Sequence, residues 1–282
     1  MTAMSLVYLN GDYLPLTEAR VSVLDRGFIF GDGIYEVVPV FGGRAFRFSE
    51  HLRRLTRSLE AIGLEVSLGA DDWSKLVAEL LARNALSDAS VYIQITRGVA
   101  PRNHAAPAHC QPTVFAMASP LILAEDITPV AAISLPDLRW QRCDIKAISL
   151  LPNVMARTAA VEAGAYEALL FRENFLTEGA ASNVFVVKDG RIMTPPHSAF
   201  ILPGITRDAL VEALAASADA IAEVQIPRAV VASADELWLS SSTRDIVPVT
   251  ILDGKPVGDG NPGPVYRRVL ARYLQFKAAS TS

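Results

Sequence analysis

Cysteine is almost missing from this chain. Its 282 residues include two, Cys110 and Cys143, too few for a disulfide framework and in no CxxC or Cys/His spacing that would hold a metal. That scarcity fits a reducing compartment and predicts a cytoplasmic protein. Long apolar runs are missing too, so no segment is expected to span a bilayer. The opening MTAMSLVYLNGDYLPL lacks the basic region, apolar core and cleavage site of an export signal. Positive charge is not concentrated anywhere. Lys plus Arg total 26 against 30 Asp plus Glu, for a net charge of −4. Without a basic tract, nucleic acid is not an expected partner, and an anionic substrate would need a local cluster of cations. The sequence also has no internal repeat, no low-complexity stretch and no glycine- or serine-rich linker.

What remains is ordinary globular material. Hydrophobic residues make up 51% and charged residues 20%, enough for a substantial core in one large domain or two of ordinary size. SLVYLNGDYLPL reads as a hairpin turning at Asn10-Gly11, and GIYEVVPVFGGRAFRF as another turning at Gly42-Gly43. Ser49 is placed as the N-cap of a helix over EHLRRLTRSLEAIG that Gly63 stops, and DDWSKLVAELLARNAL is a second amphipathic helix. SVYIQITRG and PTVFAMAS are strands. The first domain is therefore expected over 1–118, with 119–124 as a connector and a larger C-terminal domain over 125–282. In that second part VAAISL and DIKAISL read as strands, NVMARTAAVEAG as a helix ended by Gly164, and YEALLFRENFLTEGAASNVFVVKDGRIMTP as successive strands. TRDALVEALAAS and VYRRVLARYLQFKA are helices around a final strand pair in DELWLSSSTRDIVPVTILDGKPV. Strands with few helices, lacking the regular alternation of a Rossmann sheet, predict an α+β fold.

Several places could carry chemistry. Lys146 sits among Ile145, Ala147, Ile148, Leu150 and Leu151, where burial would disfavour its charge and favour a nucleophilic amine. The same residue could instead snorkel to the surface, or pair with Asp144. GITRDAL puts Gly204, Ile205 and Thr206 at a helix start, whose free N–H groups and positive dipole end suit a phosphate. SSST at Ser240–Thr243 offers further donors, and Arg54 could clamp phosphate oxygens. Singly these also read as a cap, a turn and a solvated helix face. Glu178, in TEGAASNVF, precedes small residues that let something flat approach the backbone. A carboxylate there could hold a heteroaromatic ring nitrogen protonated, or be an ordinary turn glutamate.

The ordered set FGDGIYEVV, EHLRRL, TRG, DIK, LTEGAASNVF, LPGITRD and SSSTRDIVPV resembles the class IV aminotransferases, the fold-type IV pyridoxal phosphate enzymes, over nearly the whole chain. The resemblance implies two domains with the cofactor, pyridoxal 5′-phosphate, in the cleft between them, and a homodimer. It implies Lys146 as the residue covalently linked to the cofactor, Glu178 on its pyridine nitrogen, and Arg54, Ile205, Thr206, Ser241 and Ser242 around its phosphate. ITRGVAPRNH resembles the D-amino acid aminotransferases of that family, which implies Arg102 and His104 on the substrate α-carboxylate, reaching across the dimer to join Tyr35. The expected reaction is amino exchange between D-amino acids such as D-alanine and D-glutamate and 2-oxo acids such as pyruvate and 2-oxoglutarate.

Alternatives within the family are a branched-chain or (R)-amine transaminase and a lyase of the aminodeoxychorismate type. The branched-chain enzymes usually carry Asn-Tyr where this chain has Leu150-Leu151, and the Asn-Arg typical of the lyases is absent as well. Ala180 and Ala181 stand where serines are often found after the Glu-Gly pair.

Overall fold

The computed structural model describes residues 5–121 and 128–280, which fall into two compact units. Residues 5–121 form the first together with Ile145–Ser149; 128–144 and 150–280 form the second. Both mix sheet and helix, as the α+β expectation requires.

The first unit opens with the hairpin of β1 (Leu6–Leu9) and β2 (Asp12–Pro15). Asn10 and Gly11 both take positive φ, 51° and 106°, the handedness that matches the twist of paired strands. A five-residue helix, α1 (Arg26–Phe30), follows, capped by Asp25 accepting the Gly27 N–H at 2.7 Å. Next come β3 (Gly33–Phe41), β4 (Arg44–Ala45), α2 (Phe48–Ala61), α3 (Ala70–Arg83), β5 (Ala89–Thr96) and β6 (Thr113–Pro120). The sheet runs β2-β1-β6-β5-β3-β4, antiparallel throughout. Alternation gives it one apolar face: Val38, Val40, Val91 and Ile93 are buried under Leu55 of α2 and Trp73, Leu76 and Leu80 of α3.

Four expectations change here. Ser49 is not the cap of α2. Arg47 stands in that position in the left-handed conformation (φ 51°), the helix begins at Phe48, and the Ser49 hydroxyl donates to Glu50 at 2.8 Å. The 119–124 connector starts too early, because β6 runs to Pro120 and the Leu121 N–H reaches the Asp88 carbonyl at 3.0 Å. Its remaining positions, 122–124, lie outside the described residues. DIKAISL is not a strand of the second sheet. It bridges instead to β3: the Tyr35 N–H donates to the Lys146 carbonyl (2.9 Å), and the Ile148 N–H to that of Gly33 (3.1 Å). Because β4 pairs only with Val40 and Phe41, the Gly33–Tyr35 end of β3 is open to receive it. Lys146 therefore belongs to the first unit, not to the C-terminal one.

The second unit contains β7 (Val130–Pro136), α4 (Leu151–Glu162), β8 (Glu167–Arg172), β9 (Phe175–Gly179), β10 (Asn183–Lys188), β11 (Arg191–Thr194), α5 (Ile205–Leu214), β12 (Ala222–Glu223), α6 (Arg228–Ala232), β13 (Glu236–Ser241), β14 (Asp245–Leu252), β15 (Lys255–Pro256) and α7 (Pro264–Ser280). Its sheet order is β12-β11-β10-β13-β14-β7-β8-β9, with β15 on β14. The β14/β7, β7/β8 and β11/β12 pairs are parallel. Central strands β10 and β13 are covered on both faces, which explains their unbroken apolar runs. On one face Val184, Val186, Leu237 and Leu239 form a core. On the other, Phe185 stacks on Trp238 with centroids 6.2 Å apart, and Tyr266 of α7 packs against that indole at 6.0 Å. Among the described residues no helix is long and apolar enough to cross a membrane.

Candidate active site

Lys146 is half-buried, and its surroundings settle the question of its partner. Asp144 is held by Arg142, Nε to Oδ1 and Nη2 to Oδ2, both at 3.0 Å. The Lys146 amine instead lies over the Tyr35 ring, 4.2 Å from its centroid. Two of the residues singled out from the sequence are thus brought together, by the short segment that docks on β3.

Arg54 is buried on α2 and donates Nε to Glu36 Oε1 at 2.7 Å and Nη2 to Oε2 at 2.8 Å. His51 Nδ1 lies 2.8 Å from the same Oε2. Burial alone would raise the Glu36 pKa, but the Arg54 guanidinium and the His51 contact hold it far below the usual carboxylate range. Burial pulls the His51 pKa down against the pull of Glu36. Glu36 escaped the sequence reading, yet a signal was there. It occupies the core face of β3 in the series Ile34, Glu36, Val38, Val40, where a lone carboxylate demands a buried partner.

Arg102 and His104 are exposed, side by side against Phe30. The guanidinium is 5.5 Å and the imidazole 5.4 Å from the Phe30 ring centre. Among the described residues no hydrogen bond, ion pair or ring contact joins either of them to Tyr35 or Lys146, so the structure of one chain groups these four as two pairs.

The second unit builds a cluster around Glu178, at the end of β9 and only 5% exposed. Arg139 Nη1 donates to its Oε1; Asn183 Nδ2 (3.1 Å) and the Leu202 N–H (3.0 Å) donate to Oε2. Arg139 in turn grips both oxygens of Asp137 at 2.9 Å and the Phe200 carbonyl at 3.0 Å. Burial drives the Glu178 pKa up to about 7, against the pull of Arg139.

Asn183 ties this carboxylate to the other predicted residues. It pairs with Ser240 across β10 and β13, and its side chain also reaches the Leu202 carbonyl at 3.0 Å. It packs so tightly on Gly204 that a Cβ there would collide with Asn183 Oδ1. Gly204 caps α5, whose first residues are Ile205 and Thr206, both buried. Thr206 is thus inside the first turn and not a cap. Ser241 ends β13 and Ser242 begins the following turn, while the buried Ser240 hydroxyl has no hydrogen-bond partner among the described residues. Arg139 and Asn183 carried no sequence signal, because their value lies in contacts that only the folded chain creates.

A carboxylate anchored by three donors, a helix N-terminus and a hydroxyl-rich strand end make a constellation suited to a ligand that is basic at one end and anionic at the other. Residues 33–252 match the model of the family described as Amino-transferase class IV. The chain belongs to the class IV aminotransferases. A D-alanine aminotransferase of Staphylococcus haemolyticus is 39% identical to this aminotransferase, over 99% of this chain and 100% of that protein. Among solved structures, the branched-chain amino acid aminotransferase of Escherichia coli superposes with a TM-score of 0.90 at 26% identity, covering 99% of this chain and 96% of that one. The T.th. branched-chain enzyme, complexed with N-(5′-phosphopyridoxyl)-L-glutamate, gives 0.89 at 25% identity, over 98% and 95%.

Proposed function

We propose that this class IV aminotransferase exchanges amino groups between D-amino acids, D-alanine and D-glutamate first, and 2-oxo acids such as pyruvate and 2-oxoglutarate. The observation that carries the substrate class is the full-length likeness to a D-alanine aminotransferase at 39% identity, against 26% for the E. coli branched-chain enzyme. Leu150-Leu151 in place of the branched-chain Asn-Tyr pair supports the same choice.

The residues present fit pyridoxal 5′-phosphate. The Ser240 hydroxyl, without a hydrogen-bond partner among the described residues, the buried α5 N-terminus and the buried Glu178 carboxylate supply donors for a phosphate and an acceptor for a ring N–H. Lys146 would hold the cofactor covalently. Glu178 would face its ring nitrogen, and Ile205, Thr206, Ser241, Ser242 and Arg54 its phosphate. When bound, the cofactor supplies an electron sink and carries the amino group between two half-reactions.

The protein's own part is binding and proton management. Arg102 and His104 take the α-carboxylate, with Tyr35 as a further donor. Lys146, as a free amine, removes the α-proton of the substrate and returns it, acting as general base and then acid. The Tyr35 ring beneath it restricts where that amine can swing. Glu178 is held in place by Arg139 and Asn183, and would there hold a basic ring nitrogen of the bound cofactor protonated. Because one 2-oxo acid leaves before the second enters, the kinetics are ping-pong. The exposure of Arg102 and His104 supports a homodimer in which this loop serves the partner's substrate, and the scarcity of cysteine supports a cytoplasmic enzyme.

The test is a panel of D- and L-amino acids with 2-oxoglutarate. D-alanine should be the better donor; preference for L-leucine over D-alanine overturns the assignment in favour of the branched-chain alternative.

A further inference from the structure

Residues 101–105, which carry Arg102 and His104, are all exposed and form no strand or helix. Left to itself such a loop samples many conformations, and a ligand that selects one must offset the lost entropy. One side chain removes that freedom. Arg26 of α1, only 4% exposed, donates Nη1 to the Asn103 carbonyl at 2.6 Å and to that of Ala105 at 3.4 Å. Its Nη2 donates to the His104 carbonyl at 3.2 Å. Three consecutive carbonyls thus converge on one guanidinium.

Arg26 is itself fixed. Its Nε donates to Asp32 Oδ2 at 2.7 Å, and the same oxygen accepts Arg97 Nε at 2.8 Å. Arg97 then forks to the carbonyls of Ile62 (2.7 Å) and Gly63 (3.1 Å) at the end of α2. Helix α1 is pinned in turn by Asp25, which accepts the hydroxyls of Thr96 (2.9 Å) and Thr113 (2.7 Å). Phe30, one helical turn after Arg26, carries the ring of His104 and the cation of Arg102 on its face. Asp32 supplies the countercharge that makes a buried arginine tolerable.

We propose that Arg26 is a positioning residue for recognition of the substrate carboxylate: by holding the main chain of Asn103 to Ala105, it presents Arg102 and His104 in a single arrangement. This rests on the reading that those two side chains bind the carboxylate. It follows that Arg26 acts on substrate capture and not on proton transfer. Arg26→Lys separates the two roles that a larger change would merge, since an ammonium can still pair with Asp32 but has no planar fork for three carbonyls.

The test compares wild type, Arg26→Lys, Arg26→Met and Arg102→Leu as holoenzymes. It measures the D-alanine half-reaction, thermal unfolding, and hydrogen–deuterium exchange of the peptide covering 101–105. Arg26→Lys should unfold close to wild type, exchange faster in this peptide, and raise the KM for D-alanine about tenfold while its limiting rate stays within about threefold. Arg102→Leu should raise KM similarly without faster exchange. An unchanged KM in Arg26→Lys, or a fall in limiting rate with KM unchanged, overturns the proposal while leaving the carboxylate reading intact. An unchanged KM in Arg102→Leu overturns that reading and this inference together. Should Arg26→Met fail to fold, Arg26→Lys alone decides.

Discussion

Replacing Arg139 by methionine should destabilise the protein severely, and more so at high pH. The guanidinium is nearly buried, with 5% of its side chain exposed, and it is shared by two carboxylates, Asp137 at 0% and Glu178 at 6%. Methionine fills much of the volume but leaves both acids without their main cation. Thr177 and Arg172 still serve Asp137, and Asn183 and the Leu202 N–H still serve Glu178, so the loss is partial. Removing one partner of a buried pair costs about 3–5 kcal/mol, a large share of the roughly 5–15 kcal/mol that holds a domain together. The pH dependence carries the sign. The Glu178 pKa is already raised to about 7 in the folded protein, so its favourable contribution is fully present below its unfolded value and is lost as pH rises through 7. Without Arg139 that pKa moves higher still, and ionising the group costs more. Urea unfolding of the cofactor-free protein at pH 5 and pH 8 reads both effects. The deficit of Arg139→Met should be several kcal/mol and larger at pH 8. A deficit below about 1 kcal/mol, or one equal at the two pH values, refutes the claim that Arg139 chiefly neutralises buried acids.

Three further outcomes follow from the same cluster. Glu178→Gln should slow the half-reaction while leaving the fold and much of the cofactor binding intact; undiminished half-reaction rates would count against its role at a ring nitrogen. In the cofactor-free form the same substitution should flatten the fall in stability between about pH 4.5 and 7 that a raised carboxyl pKa imposes, which urea titrations across that window measure. Gly204→Ala, whose new Cβ collides with Asn183 Oδ1, should displace the Asn183 amide and weaken cofactor retention on dialysis; unchanged retention would show that the α5 cap tolerates movement.

Legibility in the sequence followed the range of the interactions. The Asn10-Gly11 turn, the Gly42-Gly43 turn and the amphipathic α3 were readable because their causes are local: positive φ in the turns, and a 3.6-residue period in the helix. Ser49 misled because the tight return from β4 leaves Arg47 in the left-handed region, so the helix starts one residue before the best capping side chain. DIKAISL alternates like a strand, and its sequence neighbours on both sides lie in the second unit. Its real partner is the open edge of β3, more than a hundred residues earlier, which no local pattern reveals. Lys146, Glu178 and the α5 start were legible as chemistry, whereas Arg26, Arg139 and Asn183 were not. These three work by reaching main-chain carbonyls and carboxylates that only tertiary structure brings within range.

The central claim is that Lys146 is the residue on which the chemistry is mounted, and one experiment addresses it directly. The chain has five lysines, the others being Lys75, Lys188, Lys255 and Lys277. Lys188 and Lys277 are engaged with Asp235 and Asp245, while the Lys146 amine rests over the Tyr35 ring. Borohydride reduction of the loaded wild-type enzyme, followed by peptide mapping, should place the cofactor on the peptide containing Lys146, and Lys146→Ala should take up no label and lose turnover by several orders of magnitude. A stable label on any of the other four lysines, or near-normal turnover in Lys146→Ala, would contradict the account.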